Sequence, residues 1–390
     1  MKAMAREMDK KGPLVGVRIV EFAGMGPAPF CAMWLSDMGA DVIRIDRAGE
    51  RPRGASGEFD VLQRGRRSIA LDLKDEDGRA IARRIATNAQ MLIEGFRPGV
   101  MERLGLGPEK MLCENPNLIY GRITGWGQYG PLSQAAGHDL NYLALSGALF
   151  GIGADGSPPA PPLNLVADFG GGGMLLALGM LSAYIESLRT GRGQIVDAAM
   201  SDGSALLMSM LYGYKAMGRW NGQNRGCNFL DGSAHFYTTY ECADRKFIAV
   251  GAIEKPFYVR FLEGLGFDPA AFSDQWAHTK WSEYKQMIAL RVLSRSRDAW
   301  ADHFASVDAC VTPVLDMEEA PLHPHNVARG TFVTSGSVCQ PGRAPRYSAT
   351  PAEPLGAIPR PGEHALEILT ELGISQAELD RLRSKGVAPH

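Results

Sequence analysis

The chain of 390 residues has six cysteines, Cys31, Cys113, Cys227, Cys242, Cys310 and Cys339, and none forms a CxxC pair. Such scatter supplies neither a zinc knuckle nor a disulfide framework, and it points to a reducing, cytoplasmic setting. Net charge is nearly absent, at −2, so the basic surplus of a nucleic-acid binder is missing. No uninterrupted run approaches the roughly 18 apolar residues of a membrane span, and no membrane partner is expected. The first 13 residues are charged and lack an apolar centre, unlike a secretory signal. Ala388-Pro389-His390 is not a peroxisomal address. His323-Pro324-His325 is short of ligands for a metal; two such histidines more often mark a loop, so no metal is expected. No internal repeat is found.

What is present is an ordinary globular balance, 22% charged and 45% hydrophobic, in a chain too long for one core, so two domains are expected. Residues 17–22 and 41–46 read as strands around a helix at about 28–38, a βαβ start that marks a parallel sheet. Gly24-Met25-Gly26 precedes that helix and Asp46 lies about 20 residues on, as in a dinucleotide fingerprint. Pro29 holds the place of the third glycine and cannot supply its close helix–strand contact, so NAD is set aside. Further strands are expected at 68–73, 91–94, 118–123 and 194–199, with helical stretches at 75–88 and 99–112. Ligands of such sheets sit beyond the carboxyl ends of the strands. Arg47, Lys74 and Arg97 stand at those ends, and Arg64, Arg66 and Arg67 lie between two strands. These cations are candidates to hold phosphates, with a solvated basic face as the plainer reading of each.

Two stretches carry the chemistry. One is Gly137-His138-Asp139-Leu140-Asn141-Tyr142, and the other is Asn164-Leu165-Val166-Ala167-Asp168-Phe169 followed by Gly170 to Gly173. An imidazole and a carboxylate in apolar surroundings point to proton transfer beside a developing negative charge. The glycines would let a ligand approach the backbone and open an apolar helical stretch at 174–188. The plainer reading makes each residue a cap or a backbone-bonded core group. A stiff loop at 154–162 separates the two stretches, and a methionine-rich helix with Met200, Met208, Met210 and Met217 follows them. Residues 222–228 suggest entry into a second domain, which opens with a hairpin at 237–242 and 247–251. Glu254 precedes Pro256 and a helix, and 311–314 reads as a short strand. From 320 the chain is loop-like until an amphipathic helix at about 363–372 and a helical tail. The expected division is a large domain over 1–198, a linker over 199–230, a small domain over 231–333 and a return segment over 334–390.

The chain resembles the family III CoA-transferases. Arg18-Ile19-Val20-Glu21 with its glycine-proline loop, Asp41 to Arg47, Leu92 to Gly99, Gly125 to Pro131 and Gly193 to Asp197 carry the resemblance, which covers about residues 14–350. Gly137 to Tyr142 is similar to the racemase branch, whose members invert the α-carbon of 2-methylacyl-CoA thioesters; transferases typically lack the His. The resemblance implies an α/β fold with a large Rossmann-like parallel-sheet domain, a smaller α+β domain and an interlaced homodimer. It also implies His138 and Asp168 as the two bases, Glu254 orienting His138 from the partner chain, and Asn164 in support. Coenzyme A, which belongs to the substrate, would be held by Arg47, Leu71, Asp72, Leu73, Lys74, Ala89, Gln90, Met91, Arg97, Gly137, Asp139, Leu140, Asn141 and Tyr142. No separate cofactor is expected. Backbone N–H groups at Asp168 and the glycine run are the expected donors to an enolate oxygen. Two alternatives stand beside this reading: a CoA-transferase with Asp168 as nucleophile, and a non-catalytic acyl-CoA-binding protein. His235 replaces a proline usual in racemases, which bears on acyl-chain specificity, and Arg245 replaces a common hairpin glycine, which bears on the turn.

Overall fold

The computed structural model describes residues 11–49, 59–350 and 354–384. The alternation of apolar runs with amphipathic stretches becomes β1 (Arg18–Phe22), α1 (Pro27–Asp37), β2 (Asp41–Arg47), β3 (Arg67–Leu71), α2 (Glu76–Thr87), β4 (Met91–Glu94), α3 (Val100–Arg103), α4 (Pro108–Glu114), β5 (Ile119–Thr124), α5 (Asp139–Ser146), a π-helix (Leu165–Met174), α6 (Leu175–Thr190), β6 (Gln194–Ala199) and α7 (Met200–Leu207). The six strands form one parallel sheet in the order β3-β2-β1-β4-β5-β6. Strand order reverses between β1 and β4, so the chain leaves these neighbours in opposite directions and a crevice opens at their carboxyl ends. Both faces of the sheet are covered, which is why its strands are apolar at successive positions rather than at alternate ones. Val20, Phe22, Ile45 and Leu92 pack with Ile81 and Ile85 of α2 on one face. Ile19, Val42, Met91 and Ile93 pack with Leu35 of α1 and Leu176 and Met180 of α6 on the other. Each fully buried Leu or Ile adds about 1.5–3 kcal/mol.

The chain divides into two compact units. Unit 1 takes the residues up to Ser146, Leu163–Leu207 and those from Val327 on; unit 2 takes Gly147–Pro162 and Met208–Asn326. Unit 2 contains α8 (Ser209–Ala216), β7 (Tyr237–Glu241), β8 (Phe247–Gly251), α9 (Lys255–Leu265), α10 (His278–Val292), α11 (Arg297–Phe304) and β9 (Val311–Pro313). Its sheet is antiparallel, β7-β8-β9, over an aromatic-rich core that includes Phe236, Tyr258, Phe261, Trp281 and Trp300. After α12 (Pro324–Arg329), unit 1 closes with β10 (Phe332–Ser335), β11 (Val338–Pro341), α13 (Ala365–Glu371) and α14 (Gln376–Ser384).

Several elements differ from the sequence reading. The methionine-rich helix is two, α7 in unit 1 and α8 in unit 2, so much of the expected 199–230 linker is helical. The stiff loop belongs to unit 2, where Arg225 donates to the carbonyls of Ala154 and Ser157 and stacks over the Phe150 ring. The stretch at 99–112 breaks before Gly107, giving α3 and α4. The loop-like region after 320 contains the β10–β11 hairpin, paired from Phe332↔Pro341 to Ser335↔Val338. The apolar stretch expected to begin at 174 is longer. Leu165–Thr190 is one 26-residue helical run, long and apolar enough by length and composition alone to cross a membrane. Asp168 and Glu186 interrupt it in sequence, and one face, with Leu176, Ala177 and Met180, is buried against the sheet.

Candidate active site

Asp168 lies in the first turn of the π-helix, and the glycines after it set how that helix packs. A π-helix bonds residue i to i+5, is rare, and is frequently found at functional sites. A Cβ on Gly171 would stand 2.7 Å from Ser204 N, one on Gly172 2.8 Å from Met200 Cγ, and one on Gly173 2.8 Å from Pro27 O. On the facing helix, a Cβ on Gly203 would overlap Gly171 O. Gly171, Gly172 and Gly173 are buried, so they serve close packing against α1 and α7 rather than the approach of a ligand.

The expected oxyanion donors are occupied. Asp168 N donates to Asp139 Oδ2 at 2.8 Å, and the N–H groups of the glycine run close the bonds of the π-helix itself. Free donors arise at α5. His138 O accepts from Asn141 N and Tyr142 N, and His138 N donates back to Asn141 Oδ1 at 3.0 Å. This is a reciprocal cap, with His138 as the cap residue and Asn141 three residues on, in the first turn. It leaves the N–H groups of Asp139 and Leu140 without an acceptor in the helix. Tyr142 fixes the loop from below: its hydroxyl donates to Gly137 O at 2.5 Å, and its ring meets Trp126 edge-on at 4.8 Å. A Cβ on Gly125 would overlap the Tyr142 ring, and one on Gly137 would stand 2.7 Å from it.

The Asp168 carboxyl is half-buried between Asn164 and the β1–α1 loop. Asn164 Nδ2 donates to Asp168 Oδ2 at 3.3 Å, and a Cβ on Gly26 would stand 3.5 Å from that oxygen. Burial pushes Asp168 above the usual carboxylate range; the Asn164 bond opposes this, the Asp139 charge adds to it and His138 subtracts. His138 is exposed and within electrostatic reach of Asp168. Leu163, just before Asn164, has φ 60, a strained turn of the kind found beside functional sites.

The remaining candidates sort by position on the sheet. Arg47 ends β2, Leu71 ends β3 with Asp72 to Lys74 just beyond it, and Arg97 follows β4, so all stand at the carboxyl edge with His138 and Asp168. Among the described residues Arg47, Lys74 and Arg97 are exposed and make no ion pair, as a phosphate site requires. Leu71 is buried in the core and offers only its backbone, Leu73 packs against that core, and Asp72 Oδ1 accepts from Lys74 N. Ala89, Gln90 and Met91 are not brought to this edge. They stand at the amino end of β4, where Ala89 and Met91 are buried and Gln90 Oε1 accepts from Arg18 N. Arg64, Arg66 and Arg67 are neither phosphate clamps nor a solvated face. They are buried and paired with Asp37, Glu21 and Asp41 respectively. Asp139 is a buried acceptor of backbone N–H groups. Glu254 precedes α9 with an exposed side chain that makes no cap bond. Gly26 and Gly203 were not singled out as site residues; the glycine loop after β1, at the point where strand order reverses, was the available signal for Gly26.

A model of the family described as CoA-transferase family III matches residues 14–365. The chain is 49% identical over 373 residues to alpha-methylacyl-CoA racemase of Mus musculus, covering 95% of this chain and 96% of that one. It is 47% identical over 375 residues to alpha-methylacyl-CoA racemase of Homo sapiens, with coverage of 95% and 96%. Succinyl-CoA–D-citramalate CoA-transferase of Chloroflexus aurantiacus is 30% identical over 400 residues, with coverage of 96% and 98%. Among solved structures, a CAIB/BAIF family protein from Brucella suis superposes with TM-score 0.79 at 25% identity, covering 93% of this chain and 100% of that one.

Proposed function

This chain belongs to CoA-transferase family III, and on that premise we propose that it is a racemase of 2-methylacyl-CoA thioesters. The observation that carries the reading is the placement of His138 within electrostatic reach of Asp168, in a chain 49% identical to an alpha-methylacyl-CoA racemase. Inverting a carbon next to a thioester requires a proton to leave one face and another to arrive on the opposite face, so one base on each side is needed. One base takes the α-proton and the electron pair moves onto the thioester oxygen. The conjugate acid opposite then delivers its proton to the carbon, and the thioester carbonyl re-forms. Each inversion leaves one base protonated and the other stripped, so exchange with solvent must reset the pair. The enolate oxygen takes its hydrogen bonds from the free N–H groups of Asp139 and Leu140. A preorganised donor of this kind contributes about 3–4 kcal/mol.

Arg47, Lys74 and Arg97 hold the phosphates of coenzyme A, which arrives with the substrate, and no further cofactor takes part. The protein works as an interlaced homodimer in the reducing cytoplasm. Leu178, Ile185 and Leu188 of α6 and Leu206 and Leu207 of α7 are exposed and apolar, which supports a protein partner for unit 1. Glu254, exposed and without a cap bond, orients His138 of the partner chain.

Either epimer of a 2-methylacyl-CoA, incubated in D₂O without an acceptor acid, should exchange its α-proton and approach an equal mixture of epimers by NMR. Retention of that proton over many expected turnovers would overturn the racemase reading. A strict requirement for a free acid would favour acyl transfer through Asp168.

A further inference from the structure

Asp139 follows His138 directly in the chain, and its carboxylate reaches the other base. Oδ2 accepts from Ala167 N and Asp168 N, both at 2.8 Å. The residue is only 5% exposed, and among the described residues Oδ1 has no hydrogen-bond partner. Among the described residues it makes no ion pair with any Lys or Arg. Burying a carboxylate without a cation is costly, and two backbone bonds return part of that cost. A neutral Asn or Ser could cap the π-helix at a lower desolvation cost. What a carboxylate adds is a negative charge held in place.

We propose that Asp139 is a positioning residue for the two-base reaction: one oxygen ties the His138 cap to the first turn of the Asp168 helix, and its charge, without a cation, faces Asp168. The inference rests on the two-base reading above. The groups around the Asp168 carboxyl are few. His138 and Tyr142 come from the start of α5, with Asn164 just before the π-helix and Gly26 from the β1–α1 loop. Cys31 of α1 is buried, Asp202 of α7 is exposed, and Asp197 of β6 is engaged by Gln128 N. The Tyr142 hydroxyl is pushed up by burial, then by Asp168 and Asp139, so it too registers the charge.

Asp139→Asn tests the charge, because the amide keeps an oxygen for both N–H groups. Asp139→Ala removes charge and tie together. The Asp168 carboxyl is followed by ¹³C NMR in protein labelled at the aspartate side-chain carbon, with Asp168→Asn assigning the resonance. In D139N the titration midpoint of Asp168 should fall, as expected for losing a close like charge. The acid limb of kcat/KM should move the same way. Amide exchange at Ala167 and Asp168 should stay slow in D139N and become fast in D139A. An unmoved midpoint in D139N overturns the electrostatic part, and retained protection in D139A overturns the tie. The titration needs no turnover. A wild-type protein that fails to exchange the α-proton therefore refutes the two-base reading without touching this measurement.

Discussion

His235 is buried in the core of unit 2. Its Nε2 shares a 2.6 Å hydrogen bond with Tyr258 Oη, its Nδ1 has no partner among the described residues, and Phe236 and Tyr284 meet its ring edge-on. It therefore fills the core of unit 2, and the sequence expectation that it bears on acyl specificity has no support in these contacts. Desolvation pulls its pKa down from 6.5 to about 4. Above pH 6.5 the ring is neutral whether the chain is folded or not. Between 6.5 and 4 the unfolded chain binds a proton that the folded one refuses, so stability falls with pH by up to about 3 kcal/mol. In urea titrations from pH 7 to 4.5, wild type should therefore lose more stability than His235→Gln, which keeps a hydrogen-bonding group; parallel losses would refute the assignment. Arg245 completes the β7–β8 turn at φ 62, a conformation that costs a non-glycine about 1–2 kcal/mol. The turn forms regardless, because Cys242 N to Lys246 O at 2.8 Å and the strand ladder hold its ends.

At the level of elements, the loop after β4 is clamped from beneath. Arg122 of β5 donates from Nε to Glu94 Oε1 at 2.7 Å and from Nη1 to Glu102 Oε1 of α3 at 2.8 Å. The second oxygen of Glu94 accepts from Phe96 N at 2.8 Å. Burial pushes Glu94 above the usual carboxylate range while Arg122 pulls it down. The clamp thus grips both ends of the loop that presents Arg97, using the planar fork that only arginine has. Arg122→Lys should raise KM for the acyl-CoA on the order of tenfold, equal to ~1.4 kcal/mol, with kcat little changed. An unchanged KM would mean that the clamp does not position Arg97. The strands of this region were legible because a two-sided buried strand shows as an unbroken apolar run. The π-helix was not, because four glycines in a row read equally well as a loop. Only the surfaces of α1 and α7, which admit no Cβ there, make those glycines a packed helix.

At the scale of the whole molecule, the proposed site draws on two chains. If Glu254 acts on the His138 of a partner, Glu254→Ala and the double variant His138→Ala/Asp168→Ala should each be inactive alone. Their heterodimer would contain one site with all three changes and one intact site. Mixing them under conditions of subunit exchange should restore activity, with the purified heterodimer reaching about half of wild type. Exchange demonstrated without recovery would place Glu254 outside the reaction. The exposed apolar residues of α6 and α7 make the same expectation testable by light scattering, which should report a dimer.

Sequence alone determined the parallel sheet, the positions of its six strands to within a residue or two and the hairpin that opens the β7-β8-β9 sheet, but not the β10–β11 hairpin. Those features rest on local free energies: apolar periodicity, turn residues and caps act over a few neighbouring positions and leave their mark there. The tertiary structure decided which group faces which. Arg64, Arg66 and Arg67 are adjacent in sequence, yet each finds a different carboxylate, Asp37, Glu21 and Asp41, 26 to 45 residues away. Ala89 to Met91 lie in the expected strand but at its amino end, and only the direction of the parallel sheet tells one end from the other. Asp139 and Asp168 are 29 residues apart and joined by one hydrogen bond. A carboxylate's partners are set by where distant segments pack, because desolvation drives it toward whichever donors the finished fold leaves within reach.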